Sequence, residues 1–248
     1  MDAQNAARLN AILSAARAEG VTATLTDSDL PKTLDEAYAI ALDGVSAETV
    51  SAWKIGGVNP WSHAVFENTE PFYGALWQHE VATTGHAFSL DGLVAPLAEP
   101  EICLELGTWP PRADGPLFTR MAIGLEIPAT VLPEAIKTCL ACQVLDRAGA
   151  GGLYIGEAVP FDGDRLAADF LARYRLSGED WREGRARHVF GGPLGSALLF
   201  LGQALHRSAP LRSGQWIATG GLVPAARVET GDRIEAEAAG LSLNLKLT

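Results

Sequence analysis

One apolar run, Ala98-Glu99-Pro100-Glu101-Ile102-Cys103-Leu104, carries two glutamates that stand two residues apart. In a strand, residues i and i+2 point to the same face, so the two carboxylates are expected in one pocket. They would repel each other there, and burial would raise a pKa. A divalent cation would remove that cost. The alternative is that both glutamates lie on a solvated strand face.

A third glutamate, Glu126, interrupts a second apolar run, Met121–Ile127. A charged side chain in such a run is rarely buried without a partner. Its same-face neighbours, Ala122 and Gly124, are small and leave room. Three carboxylates with open water positions suit Mg²⁺ or Mn²⁺, which prefer oxygen ligands. The alternative for Glu126 alone is an ion pair with an arginine such as Arg120. The candidate metal ligands are Glu99, Glu101 and Glu126.

A single lysine lies inside a strand-like run that ends in two glycines, Trp53-Lys54-Ile55-Gly56-Gly57. A buried lysine can hold a ligand carboxylate or act as an acid or base. The alternative is that its stem covers apolar surface while the amine reaches water. The pattern alone does not separate the two interpretations.

Hydrophobic spacing predicts strands that dominate the middle and end of the chain, with helices between them. Strands are predicted over 50–55, 98–106, 121–127, 153–155, 217–219 and 241–247. Helices are predicted over 3–19, from Thr33 onward, and over 133–144, 164–174 and 193–207. The elements do not alternate strictly, which favours an α+β fold, a mixed β-sandwich or β-roll with peripheral helices, over a doubly wound sheet. We expect a single domain, 1–248, with an N-terminal helical segment, 1–45, packed on a catalytic β-roll, 46–248.

Composition excludes several classes of protein. The 248 residues are 48% hydrophobic and carry 19 basic and 30 acidic side chains, a net charge of −11. An acidic chain repels phosphate backbones, so nucleic acid is not expected as a partner. No run approaches the ~18 uninterrupted apolar residues of a membrane span. The beginning of the sequence lacks signal-peptide features, so a cytoplasmic location is expected. Cys139 and Cys142 form a C-x-x-C for which core packing is favoured over redox or zinc chemistry.

Taken in order, these residues resemble the fumarylacetoacetate hydrolase superfamily, in the branch of the 2-keto-4-pentenoate hydratases and 4-oxalocrotonate decarboxylases. The resemblance covers most of the chain, from Ala37 to the C-terminus. The family motifs resemble Trp53-Lys54-Ile55-Gly56, Glu70-Pro71-Phe72-Tyr73-Gly74-Ala75-Leu76, Glu99-Pro100-Glu101, Glu126, Val144-Leu145-Asp146-Arg147-Ala148, Gly191-Gly192-Pro193-Leu194 and Ile217-Ala218-Thr219-Gly220. No single piece is specific, but the ordered set is.

The resemblance implies a β-roll like the C-terminal domain of that superfamily, and a Mg²⁺ or Mn²⁺ ion that holds a small 2-oxo acid. It implies a lyase, a hydratase of 2-hydroxy-2,4-dienoates or 2-oxo-alkenoates in aromatic catabolism, and a homo-oligomer. Lys54 and Glu70 would be catalytic. Lys54 and Asp146 would contact the substrate.

Three alternatives stay open. The first is decarboxylation of a 2-oxo-hexenedioate, whose distal carboxylate would need a cation such as Arg147 or Arg120. The second is acylpyruvate hydrolysis, which is less favoured because His63 and His79 are not clear family histidines. The third is a non-catalytic homologue that binds a 2-oxo acid. It is suggested by two departures from the family pattern: Glu70 replaces an aspartate, and Gly149-Ala150-Gly151 lacks a serine.

Overall fold

The computed structural model describes residues 3–26, 30–68 and 70–248. Its strands are β1 (Val50–Gly56), β2 (Phe72–Trp77), β3 (Val81–Thr83), β4 (Leu97–Leu106), β5 (Phe118–Pro128), β6 (Ala150–Ile155), β7 (Val159–Pro160), β8 (Leu171–Leu176), β9 (Arg182–Arg185), β10 (Trp216–Ala218), β11 (Ala226–Arg227), β12 (Arg233–Ala238) and β13 (Leu241–Lys246). Its α-helices are α1 (Ala3–Glu19), α2 (Leu34–Ala41), α3 (Pro60–Phe66), α4 (Leu140–Leu145), α5 (Gly163–Ala167) and α6 (Gly192–His206).

The strands form two sheets. The larger sheet has the order β2-β1-β10-β4-β5-β6-β3, with β11 paired to β4 and β7 paired to β5. The smaller sheet has the order β13-β12-β8-β9 and is antiparallel throughout. In the larger sheet β1 pairs with β10, and β3 with β6, in parallel, whereas the neighbours of β4 and β5 are antiparallel. This mixed arrangement confirms the predicted α+β class.

The main core lies on one face of the larger sheet. Helix α6 covers that face, with the Phe200 ring 5.8 Å from Trp53 and 5.0 Å from Tyr73. The smaller sheet packs on the same cluster through alternate residues of β12 and β13, such as Ile234 and Leu243. The opposite face of the central strands carries a smaller apolar cluster that includes Ala52, Cys103 and Ala218, and the polar side chains of Lys54 and Glu101 lie on that face too.

The N-terminal helices pack with α4 in a second apolar cluster that includes Leu9, Leu13, Leu132 and Leu145. Helix α2 begins after Thr33, whose hydroxyl accepts from the N–H of Glu36 at 3.1 Å, as the predicted cap requires. The two cysteines of the C-x-x-C are unbridged and belong to this cluster, as the packing interpretation predicts.

Two predicted helices are wrong. Residues 164–174 form the short helix α5 and then strand β8, because Arg173 and Arg175 pair across the sheet with Glu237 and Glu235 while Tyr174 is buried. These cross-strand partners are distant in sequence, so a local periodicity could not reveal them. The predicted helix 133–144 is broken into a 3₁₀ turn at Glu134–Ile136 and the separate helix α4.

The segment Ala186–His206, which contains α6, is long and apolar enough to cross a membrane by length and composition alone. The core helix of a globular protein passes the same test, and the buried side of α6 packs on the larger sheet through Phe200 and Leu201. Its outer side exposes Leu198, Leu199 and Leu205.

Candidate active site

The pairing of β4 with β5 brings the three predicted glutamates together. Glu99 lies directly opposite Glu126, and Glu101 lies opposite Gly124. Directly opposite residues have Cβ atoms about 5 Å apart and share a face, as do residues two apart in one strand. The side chains of Glu101 and Glu126 are buried, and that of Glu99 is partly buried. The sequence therefore predicted the composition of this cluster, here called the carboxylate trio.

The carboxylate trio is electrostatically costly as it stands. Burial, reinforced by the charge of Glu126, raises the pKa of Glu99 to about 7. Burial and the two neighbouring carboxylates also raise the pKa of Glu101 well above its usual range. Among the described residues, Oε1 of Glu101 has no hydrogen-bond partner, and Oε1 of Glu126 has only an ion pair. Unsatisfied buried oxygens of this kind indicate a cation or polar ligand in the complete site.

Lys54 lies on β1 and points into the same face. Its side chain is 7% exposed, and Nζ lies 2.9 Å from Oε1 of Glu126 and donates to the carbonyl of Ala148 at 2.8 Å. Burial alone would lower the pKa of Lys54, but attraction to the three carboxylates, Glu126 first, outweighs it and raises the pKa. Lys54 is therefore a fixed ammonium at neutral pH, better suited to hold an anion or donate a proton than to act as a base.

A left-handed turn supplies the Ala148 carbonyl that holds Lys54. Arg147, Ala148 and Gly149 all have positive φ, at 52°, 59° and 69°. Two of them are not glycine, so the turn is strained and needs support. Arg147 supplies part of it, because its guanidinium forms a partly buried ion pair with Glu80 at 2.7 Å.

Asp146, the residue just before Arg147, supports the same turn through its carboxylate. One of its carboxylate oxygens accepts from Arg17 at 2.6 Å, and the other accepts from the Thr130 hydroxyl at 2.6 Å and the Val131 N–H at 3.1 Å. These contacts favour a positioning role for Asp146 over the substrate-binding role that the resemblance implies. Arg17, contributed by α1, is a supporting residue that the sequence did not reveal.

Glu70 stands apart from the trio. It is exposed, and its carboxylate accepts from the Gln203 amide on α6 at 3.4 Å. Among the residues that the structure describes, its recorded side-chain contact is with Gln203 rather than with Lys54 or the buried glutamates. Its catalytic role stays a prediction that requires its side chain to turn toward the trio.

A loop after β10 closes the site against β4, and sequence reasoning missed its role. The Gly220 N–H donates to Oε2 of Glu101 at 2.7 Å. Gly221 packs so closely on Glu99 that an added Cβ would lie 2.0 Å from Oε2. The doublet Gly220-Gly221 was the available signal, because paired glycines mark a close backbone approach as well as a turn.

The site suits a divalent ion in its donor set. Three carboxylates, of which Glu101 has an oxygen without a hydrogen-bond partner among the described residues, are the hard oxygen ligands that Mg²⁺ and Mn²⁺ prefer. With the side chains as they stand, no group of three or more His, Cys, Asp or Glu within residues 3–26, 30–68 and 70–248 is placed to hold a metal ion. The glutamates would therefore have to rotate to surround an ion, and in this arrangement Lys54 supplies the nearby positive charge.

Comparison with known proteins agrees with this geometry. No protein-family model matches the chain. Over 185 residues the chain is 29% identical to the "TodF product hydratase" of Pseudomonas putida, a match that covers 69% of this chain and 66% of that protein. The chain thus matches just under two thirds of the length of this relative.

Solved structures cover more of the chain. The 4-oxalocrotonate decarboxylase of Pseudomonas putida G7, complexed with magnesium and adipate, has a TM-score of 0.84 at 20% identity and covers 100% of this chain and 99% of its own. The fumarylpyruvate hydrolase of Pseudomonas aeruginosa, complexed with Mn²⁺ and pyruvate, has a TM-score of 0.58 at 16% identity over 79% of this chain and 88% of its own. This chain shares the fold of these two proteins, which is the fold that the resemblance seen in the sequence implies.

The departure from the superfamily pattern after Asp146 has a packing reason. A Cβ at Gly151 would lie 2.5 Å from the Ile127 carbonyl, so a serine does not fit there without movement. Gly149 combines a φ of +69° with a Cβ position 3.1 Å from the Gln143 side chain. A side chain at either position would therefore require its neighbours to move.

Proposed function

We propose that this chain is a divalent-metal-dependent lyase of the hydratase type, acting on a 2-hydroxy-2,4-dienoate or 2-oxo-alkenoate of aromatic catabolism. The observation that carries the proposal is the carboxylate trio, which shares one face of the sheet with the buried ammonium of Lys54. A trio of carboxylates fits Mg²⁺ or Mn²⁺, and a fixed ammonium fits the carboxylate of a 2-oxo acid.

When bound, a divalent ion supplies Lewis-acid polarisation of the 2-oxo group. The chain's own residues contribute orientation and proton transfer. Lys54, anchored on the Ala148 carbonyl, holds the substrate carboxylate and is placed to give a proton. The Gly220 N–H, which donates to Oε2 of Glu101 at 2.7 Å, holds the orientation of that carboxylate. Glu70 would exchange protons with the substrate once its side chain leaves Gln203.

The relatives support this class of reaction. One is described as a hydratase, and two structures of the same fold hold magnesium with adipate and Mn²⁺ with pyruvate. Adipate and pyruvate are small organic acids, which is the ligand class that a trio of carboxylates with a divalent ion and a lysine would accept.

Decarboxylation of a 2-oxo-hexenedioate is the second candidate, favoured by the TM-score of 0.84 with a decarboxylase. The cations expected for its distal carboxylate are both engaged elsewhere. Arg120 pairs with Glu105, and Arg147 pairs with Glu80. Arg120 is held far from the trio, because its partner Glu105 is six residues along β4 from Glu99, about 20 Å at the rise of an extended strand. This distribution of charge favours a substrate with one carboxylate.

Two further alternatives have less support. Acylpyruvate hydrolysis would need a histidine at the site, and the His63 ring is engaged with the Gly57 carbonyl at 2.7 Å. A non-catalytic 2-oxo-acid-binding homologue would keep the trio and Lys54 but lose turnover through the changes at Glu70 and Gly149.

The test is turnover of 2-hydroxypenta-2,4-dienoate with Mg²⁺ or Mn²⁺, followed by loss of the dienol absorbance and by mass spectrometry of the hydrated product. Release of CO₂ from 2-oxo-hexenedioate would identify the decarboxylase instead. Tight binding of oxalate or pyruvate without turnover of either substrate would identify the binding homologue.

A matched pair of variants on β4 isolates the metal role. Glu101→Gln removes a charge from the trio, whereas Glu105→Gln removes a charge on the same strand that pairs with Arg120. We expect Glu101→Gln to abolish turnover and metal binding, and Glu105→Gln to retain both. Equal activity of the two variants, or full activity in chelator, would end the metal proposal.

We also propose that the chain forms a homo-oligomer in the cytoplasm. The exposed leucines of α6, Leu198, Leu199 and Leu205, with Phe190 just before the helix, form an apolar surface of the kind that interfaces bury. Light scattering after gel filtration tests the oligomer, with a monomeric mass as the opposing result.

A further inference from the structure

Asn59, just beyond the end of β1, is a buried polar residue that connects two elements. Its side-chain oxygen accepts from the Ser62 N–H at 3.0 Å and so caps helix α3. Its side-chain amide donates to the Gly221 carbonyl at 3.3 Å. The residue is only 4% exposed. One side chain therefore joins the start of α3 to the loop beside the carboxylate trio.

That loop is fixed to β4 on both sides of its glycines. The Thr219 hydroxyl donates to the Ile102 carbonyl at 2.8 Å, and the Leu222 N–H donates to the Pro100 carbonyl at 3.0 Å. Between these anchors the Gly220 N–H holds Glu101, as described above. The backbone of residues 219–222 thus determines where one carboxylate oxygen of the trio stands.

Gly221 adds a second contact with the trio. The position of its absent Cβ lies 2.0 Å from Oε2 of Glu99 and 3.5 Å from the side-chain nitrogen of Asn59. A shift of Gly221 toward β4 would push Glu99, and a shift away would release it. Asn59 is the residue that holds the Gly221 carbonyl in place from the α3 side.

Helix α3 has few anchors of its own. None of residues Pro60–Phe66 is fully buried, and the ring contacts of the helix are those of Phe66 with Phe72 at 5.2 Å and of Trp61 with His188 at 5.7 Å. The adjoining polar contacts are those of Asn59, of the His63 ring with the Gly57 carbonyl at 2.7 Å, and of the Asn68 amide with the same carbonyl at 2.8 Å. An element with so little buried surface is expected to open at low free-energy cost.

We propose that Asn59 is a positioning residue that acts on Glu99 and Glu101 through Gly221, so that the bond between Asn59 and Gly221 sets the affinity of the site for its divalent ion. This inference rests on the proposed metal site. While Asn59 holds Gly221, the loop aligns the two carboxylates of β4. When that bond is lost, the alignment is lost and the ion binds more weakly, even with α3 in place.

The experiment compares Asn59→Ser with Ser62→Ala in the full chain. Serine is as good a helix cap as asparagine, but it is too short to keep the bond to Gly221. Ser62→Ala weakens the cap from the other side and leaves the bond between Asn59 and Gly221 intact. The pair thus separates the coupling from the stability of α3.

Two readouts are used, Mn²⁺ affinity by calorimetry and hydrogen exchange of the Gly220 amide. We expect Asn59→Ser to weaken Mn²⁺ binding about ten-fold, the loss typical of residues that orient metal ligands, and to speed exchange at Gly220. Ser62→Ala should stay close to the wild-type affinity while exchange in α3 accelerates.

An unchanged Mn²⁺ affinity in Asn59→Ser, or an equal loss in both variants, would overturn the coupling. If the wild-type protein itself binds no Mn²⁺, the proposed function fails. In that case exchange at Gly220 still decides the coupling, because an unchanged rate in Asn59→Ser would show that Asn59 does not control the loop.

Discussion

Gly221→Ala is the sharpest test of the carboxylate trio, because it adds one carbon where the structure leaves no room for it. The added Cβ would lie 2.0 Å from Oε2 of Glu99 and 3.1 Å from its Cδ. Real Cβ contacts are essentially never shorter than 3.0 Å, so Oε2 must retreat by at least 3.0 − 2.0 = 1.0 Å. The clashing atom is the end of a flexible side chain, so the carboxylate can move and the backbone can stay.

The expected effect falls on metal binding and not on folding. Gly221 has no left-handed φ, so alanine is compatible with its backbone, and the change in stability should stay within about 1 kcal/mol. The added methyl group fills space now occupied by the Glu99 carboxylate, so it limits the positions from which Glu99 can reach the ion, whose ligands must stand within about 0.2 Å of their bonding distance. We expect Mn²⁺ affinity to fall by about 10- to 100-fold, with a parallel loss of turnover.

The assay is calorimetric titration of chelator-treated protein with Mn²⁺, alongside thermal unfolding without metal. Gly202→Ala, in the exposed part of α6 with nothing within 4 Å of its Cβ position, is the matched control. It should bind Mn²⁺ like the wild type and gain up to about 1 kcal/mol in stability, because alanine suits a helix better than glycine. A folded Gly221→Ala protein with wild-type Mn²⁺ affinity would refute the assignment of Glu99 to the ion.

Three further predictions concern the support and charge of the site. Gly74→Ala should lower the free energy of unfolding by about 1–3 kcal/mol or more, because its Cβ would clash with the backbone carbonyl of Arg147. Denaturant unfolding measures that free energy, and a wild-type value would contradict the prediction. Lys54→Met should abolish turnover and lower the unfolding temperature in chelator, with recovery on adding Mg²⁺, because the trio loses the cation that pairs with Glu126; no difference between chelator and Mg²⁺ would oppose this. In metal-free protein, the pKa of Glu99 rises from 4.5 unfolded to about 7 folded, so the folded state disfavours its charged form, and stability should fall as pH rises from about 4.5 to about 7. Thermal scans across that range with and without Mg²⁺ check the sign, and a metal-free stability that rises through the window would contradict it.

The sequence by itself determined the members of the carboxylate trio and the lysine beside it. Glu99 and Glu101 are two apart in a run predicted to be a strand, and period 2 puts such residues on one face. Lys54 and Glu126 interrupt apolar runs, which marks a charge that the fold must compensate. The alternation of leucines from Leu241 to Leu247 likewise predicts β13 without any knowledge of its partners.

The tertiary structure alone decided what supports these residues. Residues predicted as a helix form strand β8 because its arginines pair with glutamates about sixty residues away in the sequence. Glu70 contacts Gln203, which is 133 residues further along the chain. The hydrogen bond between Asn59 and Gly221 joins residues 162 positions apart in the sequence, and that between Arg17 and Asp146 joins residues 129 positions apart. Period and composition report only what neighbours along the chain impose. Contacts between segments far apart in sequence depend on sheet order and strand register, which arise only when the whole chain packs.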